Sequence, residues 1–293
     1  MPSTEHEQIV TMISAMPTGQ GTVEESRAAF EAMAAMFPVG DDVNVESLTV
    51  AGCDADWVSI GGTAPARTLL YLHGGGYVIG SNVGYREFAG RLAAALDAKV
   101  LVLNYRLAPE NPFPAAVEDA VAAYKWLLEE GVDPAHISIA GDSAGGGLTV
   151  ATMVALRDEG VALPACATTF SPWIDLEASG DTAVPGAVDD PMIDADGIRE
   201  MANHYAPGQL RHPLASPLHA NLNDLPPLLV FVGTREMLLS DATRLVDQAQ
   251  AAGVDAKLYV EEGLIHVWPI FPGLPESAQT LEQMAAFTAR CIP

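Results

Sequence analysis

Apolar positions fall in two rhythms along this chain. Before residue 40 they recur with helical spacing. Ile9, Val10, Met12, Ile13 and Met16 form one stripe, interrupted by Pro17-Thr18-Gly19-Gln20-Gly21. Phe30, Met33, Ala34, Met36 and Phe37 form a second, closed by Pro38 and Gly40. From Val43 the pattern becomes strand-like. Strands are predicted over residues 45–50, 57–60 and 68–72, then a helix over 87–96, a strand over 100–104 and a helix over 115–130 ended by Gly131. A strand over 137–140, a helix over 144–158 and strands over 165–170 and 228–232 follow. A helix over 240–252, a strand over 256–260 and a helix over 276–290 complete the series. Strands alternating with helices imply an α/β fold with a mostly parallel sheet covered on both faces. The near-continuous apolar runs of the central strands are what that burial demands.

Between Ser171 and Leu225 the alternation lapses. This segment carries Pro172, Pro185, Pro191, Pro207, Pro213 and Pro217, and only a short helix is predicted, near 198–205. It is too long for a plain connector. Trp173, Met192, Met201, His204 and Tyr205 within it point to an ordered lid rather than disorder. The two helical stripes ahead of the first strand must also cover something, and a lid over the active site is the expectation. Trimming residues 1–38 should then change substrate range. No internal repeat is found.

Composition narrows the function. With 14 Lys and Arg against 38 Asp and Glu, the formal charge is −24, which repels nucleic acid and anionic membrane surfaces. Cys53, Cys166 and Cys291 are too few and too scattered for a disulfide framework or a zinc site. The start of the chain lacks a basic region followed by an apolar core, and no window is apolar enough to span a bilayer. A cytoplasmic protein without stable membrane insertion is therefore expected.

The chemistry gathers around Gly141-Asp142-Ser143-Ala144-Gly145, which follows a β-branched run and opens a helical one. A serine on a sharp strand-to-helix turn exposes its hydroxyl, and glycines two residues either side make room for that turn. The helix that follows offers unpaired N–H groups and a positive dipole end where an oxyanion would form. His73-Gly74-Gly75-Gly76-Tyr77 directly follows the strand ending at Leu72, and its bare backbone suits an oxyanion hole. His73 reads as a shaper of that loop. Of the seven histidines, His266 stands after the last strand and can serve as general base, while the acid should follow the preceding strand, at Glu236 or at Asp241. Asp241 also has a helix-capping explanation. Asp142 reads as support for the elbow's loops, yet stays with Tyr77, Trp173, Met192 and Tyr205 among the substrate-pocket candidates.

These motifs, with Asn104-Tyr105-Arg106-Leu107-Ala108-Pro109-Glu110 and the Gly-x-x-Glu-x-Leu loop, resemble the bacterial hormone-sensitive-lipase-like (family IV) esterases of the α/β-hydrolase fold. The resemblance runs from about residue 43 to the end. It implies a cap formed by residues 1–42 and an insertion at about 175–222, on a catalytic domain of residues 43–293. It makes Ser143 the nucleophile, His266 the base, Glu236 the acid, and the N–H groups of Gly75, Gly76 and Ala144 the oxyanion donors. Residues 105–110 support the oxyanion loop. The commoner family pattern has Asp-Pro-Leu in the acid loop, where this chain reads Glu236-Met237-Leu238. A Glu there is similar to a branch that includes lactone hydrolases. The implied function is hydrolysis of short- to medium-chain acyl esters, with lactones or amides as alternatives, no metal or organic cofactor, a small-molecule ester as partner, and a possible homodimer. Plant gibberellin receptors resemble the family but lack the histidine; a complete triad here argues against a receptor.

Overall fold

The computed structural model describes residues 1–15, 21–61 and 65–293; Met16 and all but Gly21 of the break predicted at 17–21 lie outside the described residues. In chain order the helices are α1 (Thr4–Ser14), α2 (Val23–Ala34), α3 (Arg86–Leu96), α4 (Ala115–Glu129), α5 (Ala144–Asp158), α6 (Ala195–Tyr205), α7 (Leu239–Ala251) and α8 (Pro275–Cys291). The strands are β1 (Val43–Val50), β2 (Cys53–Ile60), β3 (Arg67–Leu72), β4 (Ala98–Leu103), β5 (Ile137–Asp142), β6 (Cys166–Phe170), β7 (Leu228–Arg235) and β8 (Ala256–Ile265). They form one sheet in the order β1-β2-β4-β3-β5-β6-β7-β8. Strands β3 to β8 pair in parallel, while β1 and β2 add an antiparallel edge. This is the α/β-hydrolase fold.

Side-chain alternation divides the core. Leu70, Leu72, Leu101, Leu103, Ile137 and Ile139 face the layer of α4, α5 and α7. Leu69, Tyr71, Val100, Val102, Ala140 and Phe231 face α3 and α8 on the other side. Because both faces are buried, β5 is buried at every position. Each such aliphatic side chain contributes about 1.5–3 kcal/mol by leaving water. The exposed pattern of β1 is what an edge strand permits.

The second strand begins earlier than the apolar pattern over 57–60 predicts. Its polar start is recruited by a hairpin: Ala51 and Gly52 both have positive φ (51° and 92°), and Val50 pairs directly with Cys53. At the other end, β7 and β8 run on to Arg235 and Ile265, so Glu236 and His266 leave their strands immediately. Among the described residues no helix is long and apolar enough to cross a membrane.

Candidate active site

Four segments leave the carboxyl ends of parallel strands: 73–77 after β3, Ser143 after β5, Glu236 after β7 and His266 after β8. Open α/β sheets offer their ligand crevice at this edge.

Ser143 has φ 51° and ψ −120°, a conformation that costs a side-chain-bearing residue roughly 1–3 kcal/mol and persists only when its surroundings over-determine it. They do. Its N–H donates to Phe170 O at 2.8 Å, and its carbonyl accepts from Trp173 N at 2.9 Å and Gly147 N at 3.1 Å. The flanking glycines are demanded by contact. A Cβ on Gly145 would lie 1.9 Å from the Leu72 carbonyl oxygen, and one on Gly141 would lie 2.3 Å from that of Gly145.

The turn after β3 is unusual in carrying three successive positive φ values, 109° at Gly75, 61° at Gly76 and 62° at Tyr77. Among the described residues the amides of Gly75, Gly76 and Ala144 donate to no acceptor. Asp142 sits behind this turn. It accepts from Tyr71 Oη (2.7 Å) and Gly74 N (2.9 Å) on one oxygen and from Tyr85 Oη (2.7 Å) on the other. His73 stacks on Tyr105 with ring centres 4.3 Å apart, and its Nδ1 bonds Gly74 O at 2.8 Å. Burial pushes its pKa down to about 4, so it is neutral and shapes the loop.

His266 Nδ1 and Glu236 Oε2 are 2.9 Å apart, and both side chains are buried. This geometry assigns the Nδ1–H tautomer, in which Nδ1 donates and Nε2 keeps its lone pair. Ser171, 0 % exposed, fastens the pair. Its Oγ donates to Glu236 Oε1 at 2.9 Å and accepts from Val267 N at 3.1 Å, while Gly233 N donates to Glu236 Oε1 at 2.5 Å. Burial disfavours a charged His266. The hydrogen bond and charge of Glu236, with Asp190 and Asp142 behind it, outweigh burial and hold the imidazole above its ordinary pKa. Burial raises Glu236 as well, against the pull of His266. Among the described residues the Ser143 hydroxyl has no hydrogen-bond partner, His266 included.

Asp241 is occupied elsewhere. It accepts from Ile174 N and Asp175 N, each at 3.0 Å, and from Arg244 at 2.8 Å. The capping role considered for it is absent: α7 has Leu238 at its N-cap with no side-chain bond. Burial lifts its pKa to about 7.

Of the pocket candidates, Tyr77, Trp173 and Tyr205 are buried together. Tyr77 and Tyr205 stack with centres 3.6 Å apart, and Trp173 lies 6.2 Å from Tyr77. Met192 is half-buried. Its N–H donates to Asp190 Oδ1 at 2.8 Å, and Asp190 Oδ2 accepts from Met237 N at 2.9 Å, joining the 171–225 segment to the residue after Glu236. Met201, on α6, covers the turn after β3: a Cβ on Gly76 would lie 2.1 Å from its sulfur. Ser171 and Asp190 escape a reading of sequence, since their partners lie far along the chain. Asp175, Glu177 and His219 have ligand atoms within 4.8 Å of one another, but Asp175 is already engaged by Arg244 and Ser179.

Residues 69–270 match the model of a family described by the alpha/beta hydrolase fold. An acetyl-hydrolase from Streptomyces hygroscopicus is 44 % identical, over 92 % of this chain and 91 % of its own. An esterase of the bacterial hormone-sensitive lipase family superposes with a TM-score of 0.96 at 46 % identity, covering 100 % of both chains. A crystal of EstE5 soaked with p-nitrophenyl butyrate superposes with a TM-score of 0.94 at 44 % identity over 99 % of each chain. A fold, a serine elbow and relatives of this closeness lead to one assignment: the chain belongs to the α/β-hydrolase family, in its bacterial hormone-sensitive-lipase-like branch of carboxylesterase-type hydrolases.

Proposed function

We propose that the protein hydrolyses short- to medium-chain carboxylic esters by two acyl transfers, with Ser143 as nucleophile, His266 as general base and Glu236 as the acid that orients it. The observation that carries this reading is the 2.9 Å bond between buried Glu236 and His266, on the loop beside the strained Ser143 elbow. For the reaction the Ser143 hydroxyl turns toward His266 Nε2. Nε2 then takes the hydroxyl proton as Oγ attacks the ester carbonyl. The carbonyl oxygen becomes an oxyanion held by the N–H groups of Gly75, Gly76 and Ala144, each worth about 2.7–4 kcal/mol to the transition state. Collapse of the intermediate expels the alkoxide, which takes the proton from the imidazolium. Water repeats the cycle on the acyl-enzyme, releasing the carboxylic acid and restoring Ser143.

In this reading residues 1–42 and about 175–222 form the cap, and Met192 and Met201 meet the acyl chain in front of the Tyr77–Trp173–Tyr205 stack. Asp142 acts from behind, through the loop. The relative named as an acetyl-hydrolase and the EstE5 crystal soaked with p-nitrophenyl butyrate support a short acyl group. The test is turnover of p-nitrophenyl butyrate and decanoate, an ε-lactone and a butyryl anilide, together with labelling by phenylmethylsulfonyl fluoride. Butyrate hydrolysis with label on Ser143 is expected. An inert butyrate, or label on another residue, overturns the proposal, and preference for the lactone or anilide reassigns the substrate class.

A further inference from the structure

Helix α2 is held to the molecule in an unusual way. None of its residues is buried, although a capping box of Thr22 and Glu25 fixes its start. Phe30 lies against Tyr85 with ring centres 5.8 Å apart. The directional grip is polar. The half-buried guanidinium of Arg27 donates from Nε to Val78 O at 2.8 Å and from Nη2 to Ala108 O at 2.9 Å. It also forms a fork with Glu110, at 2.8 Å to each carboxylate oxygen. One turn along, Glu31 accepts from Ser81 Oγ at 2.6 Å.

The carbonyls that Arg27 holds belong to the oxyanion turn and its neighbour. Ile79 N donates to Gly75 O at 2.9 Å, so the Val78–Ile79 peptide whose oxygen Arg27 fixes closes the turn that presents the Gly75 and Gly76 amides. Ala108 N donates to Tyr77 O at 2.9 Å, and Arg27 takes the carbonyl of the same Ala108. The turn contains three positive φ angles, one of them at a tyrosine. Such backbone reverts to commoner conformations unless tied from outside. A planar guanidinium can hold two carbonyls and a carboxylate at fixed relative angles, which an ammonium cannot.

We propose that Arg27 is a positioning residue of the hydrolytic reaction: through Val78 O and Ala108 O it holds the amides of Gly75 and Gly76 in their oxyanion-binding orientation, so that α2 acts on turnover as well as on access. The proposal rests on the ester-hydrolase reading for its kinetic consequence, while its structural consequence stands apart from it. Because the oxyanion exists only beyond the ground state, misaligned donors lower kcat and kcat/KM together and leave KM alone.

The test uses the full-length protein with Arg27→Met, Arg27→Lys and Glu110→Ala. It reads kcat and KM on p-nitrophenyl butyrate, and hydrogen exchange of peptides spanning residues 74–81. Loss of one donor costs about 100- to 1,000-fold in kcat, so loosening two donors without removing them is expected to cost Arg27→Met roughly 10- to 30-fold, with KM within two-fold and exchange over 74–81 at least ten-fold faster. Arg27→Lys should fall between Met and wild type, and Glu110→Ala should show a weaker effect of the same kind. Wild-type kcat with unchanged exchange in Arg27→Met overturns the proposal, and so does a raised KM at unchanged kcat. Full recovery in Arg27→Lys would make the Glu110 ion pair, not the fork, the active contact, and overturns it too. Should Arg27→Met fail to fold, Arg27→Lys and Glu110→Ala decide, since wild-type kcat in both is an overturning result. A wild-type protein inert toward every ester would end the hydrolase reading, whereas the exchange measurement would still judge the clamp.

Discussion

The floor of the site and the helices around it are built on opposite terms. At the floor, β5 is buried throughout and the Ser143 elbow is wedged so tightly that Gly145 has no space for a methyl group. Around it, α2 has no buried residue, and α6 buries only Ile198, Ala202 and Tyr205. The floor is positioned by strand register and steric exclusion, which leave one arrangement. The surrounding segments are attached by small buried patches, such as Val10 and Ile13 of α1, and by a few polar tethers: Arg27 on the 78–110 side, His6 accepting from Ile265 N at 3.3 Å, and Asp190, ahead of α6, holding Met237 N. Chemistry needs the first kind of construction, because a misplacement of about an ångström costs on the order of 100-fold in rate. Fitting substrates of different size tolerates the second.

The largest effects should come from breaking the floor. Ser143→Ala is expected to lower p-nitrophenyl butyrate turnover by roughly 10,000-fold or more while the thermal midpoint stays near wild type, because the hydroxyl has no hydrogen-bond partner among the described residues to lose. A residual rate within 100-fold of wild type would remove Ser143 from the mechanism. Next, Glu236→Gln should cost about 100- to 10,000-fold, since a neutral amide cannot hold the Nδ1–H tautomer or balance the imidazolium. Asp241→Asn is the paired control. It should keep kcat within about five-fold yet lower the thermal midpoint by several degrees, because it weakens a buried acceptor of three hydrogen bonds. The reverse pattern would reassign the acid. A smaller effect is expected from opening the surrounding helices: Met201→Ala frees the space over Gly76 and should raise the decanoate-to-butyrate ratio of kcat/KM by about ten-fold. An unchanged ratio would place the acyl chain elsewhere.

The same contrast governs what could be read from the chain alone. Elements of the floor announce themselves locally. Helix 144–158 was readable to the residue, and β5 differs from its predicted span only by the two residues that enter the elbow. The Gly-x-Ser-x-Gly and His-Gly-Gly-Gly spacings encode steric demands that act within five residues. The tethers announce nothing. Ser171 reaches Glu236 across 65 positions, and Arg27 reaches Val78 across 51; one serine among many and one exposed-looking arginine carry no local mark. Asp241 shows the cost of local reasoning: its place beside a helix start suggests a cap, whereas its carboxylate turns to Ile174 and Asp175. Cys53 to Asp56 look too polar for a strand, and only pairing with β1 makes them one.

The smallest effect is also the most diagnostic, because it asks whether a tether carries charge into the floor. His266 must be neutral to accept the Ser143 proton, so activity falls as pH drops through its pKa. Glu236, Asp190 and Asp142 are negative neighbours that favour the imidazolium, and together they set that pKa above the ordinary 6.5. The acid limb of kcat/KM should therefore lie above pH 6.5, measured on p-nitrophenyl butyrate at constant ionic strength. Asp190→Asn removes one of those charges and keeps an oxygen for the amides of Met192 and Ile193, at the expense of the bond from Met237 N. The imidazolium loses support, its pKa falls, and the limb should move to lower pH by a few tenths of a unit, with kcat at pH 8 nearly unchanged. High salt should mimic part of this shift in the wild type, since Asp190 is half-exposed and its charge is screened more readily than that of buried Glu236. A limb that stays in place in Asp190→Asn would mean that the 171–225 segment contributes geometry to the acid loop and no electrostatics.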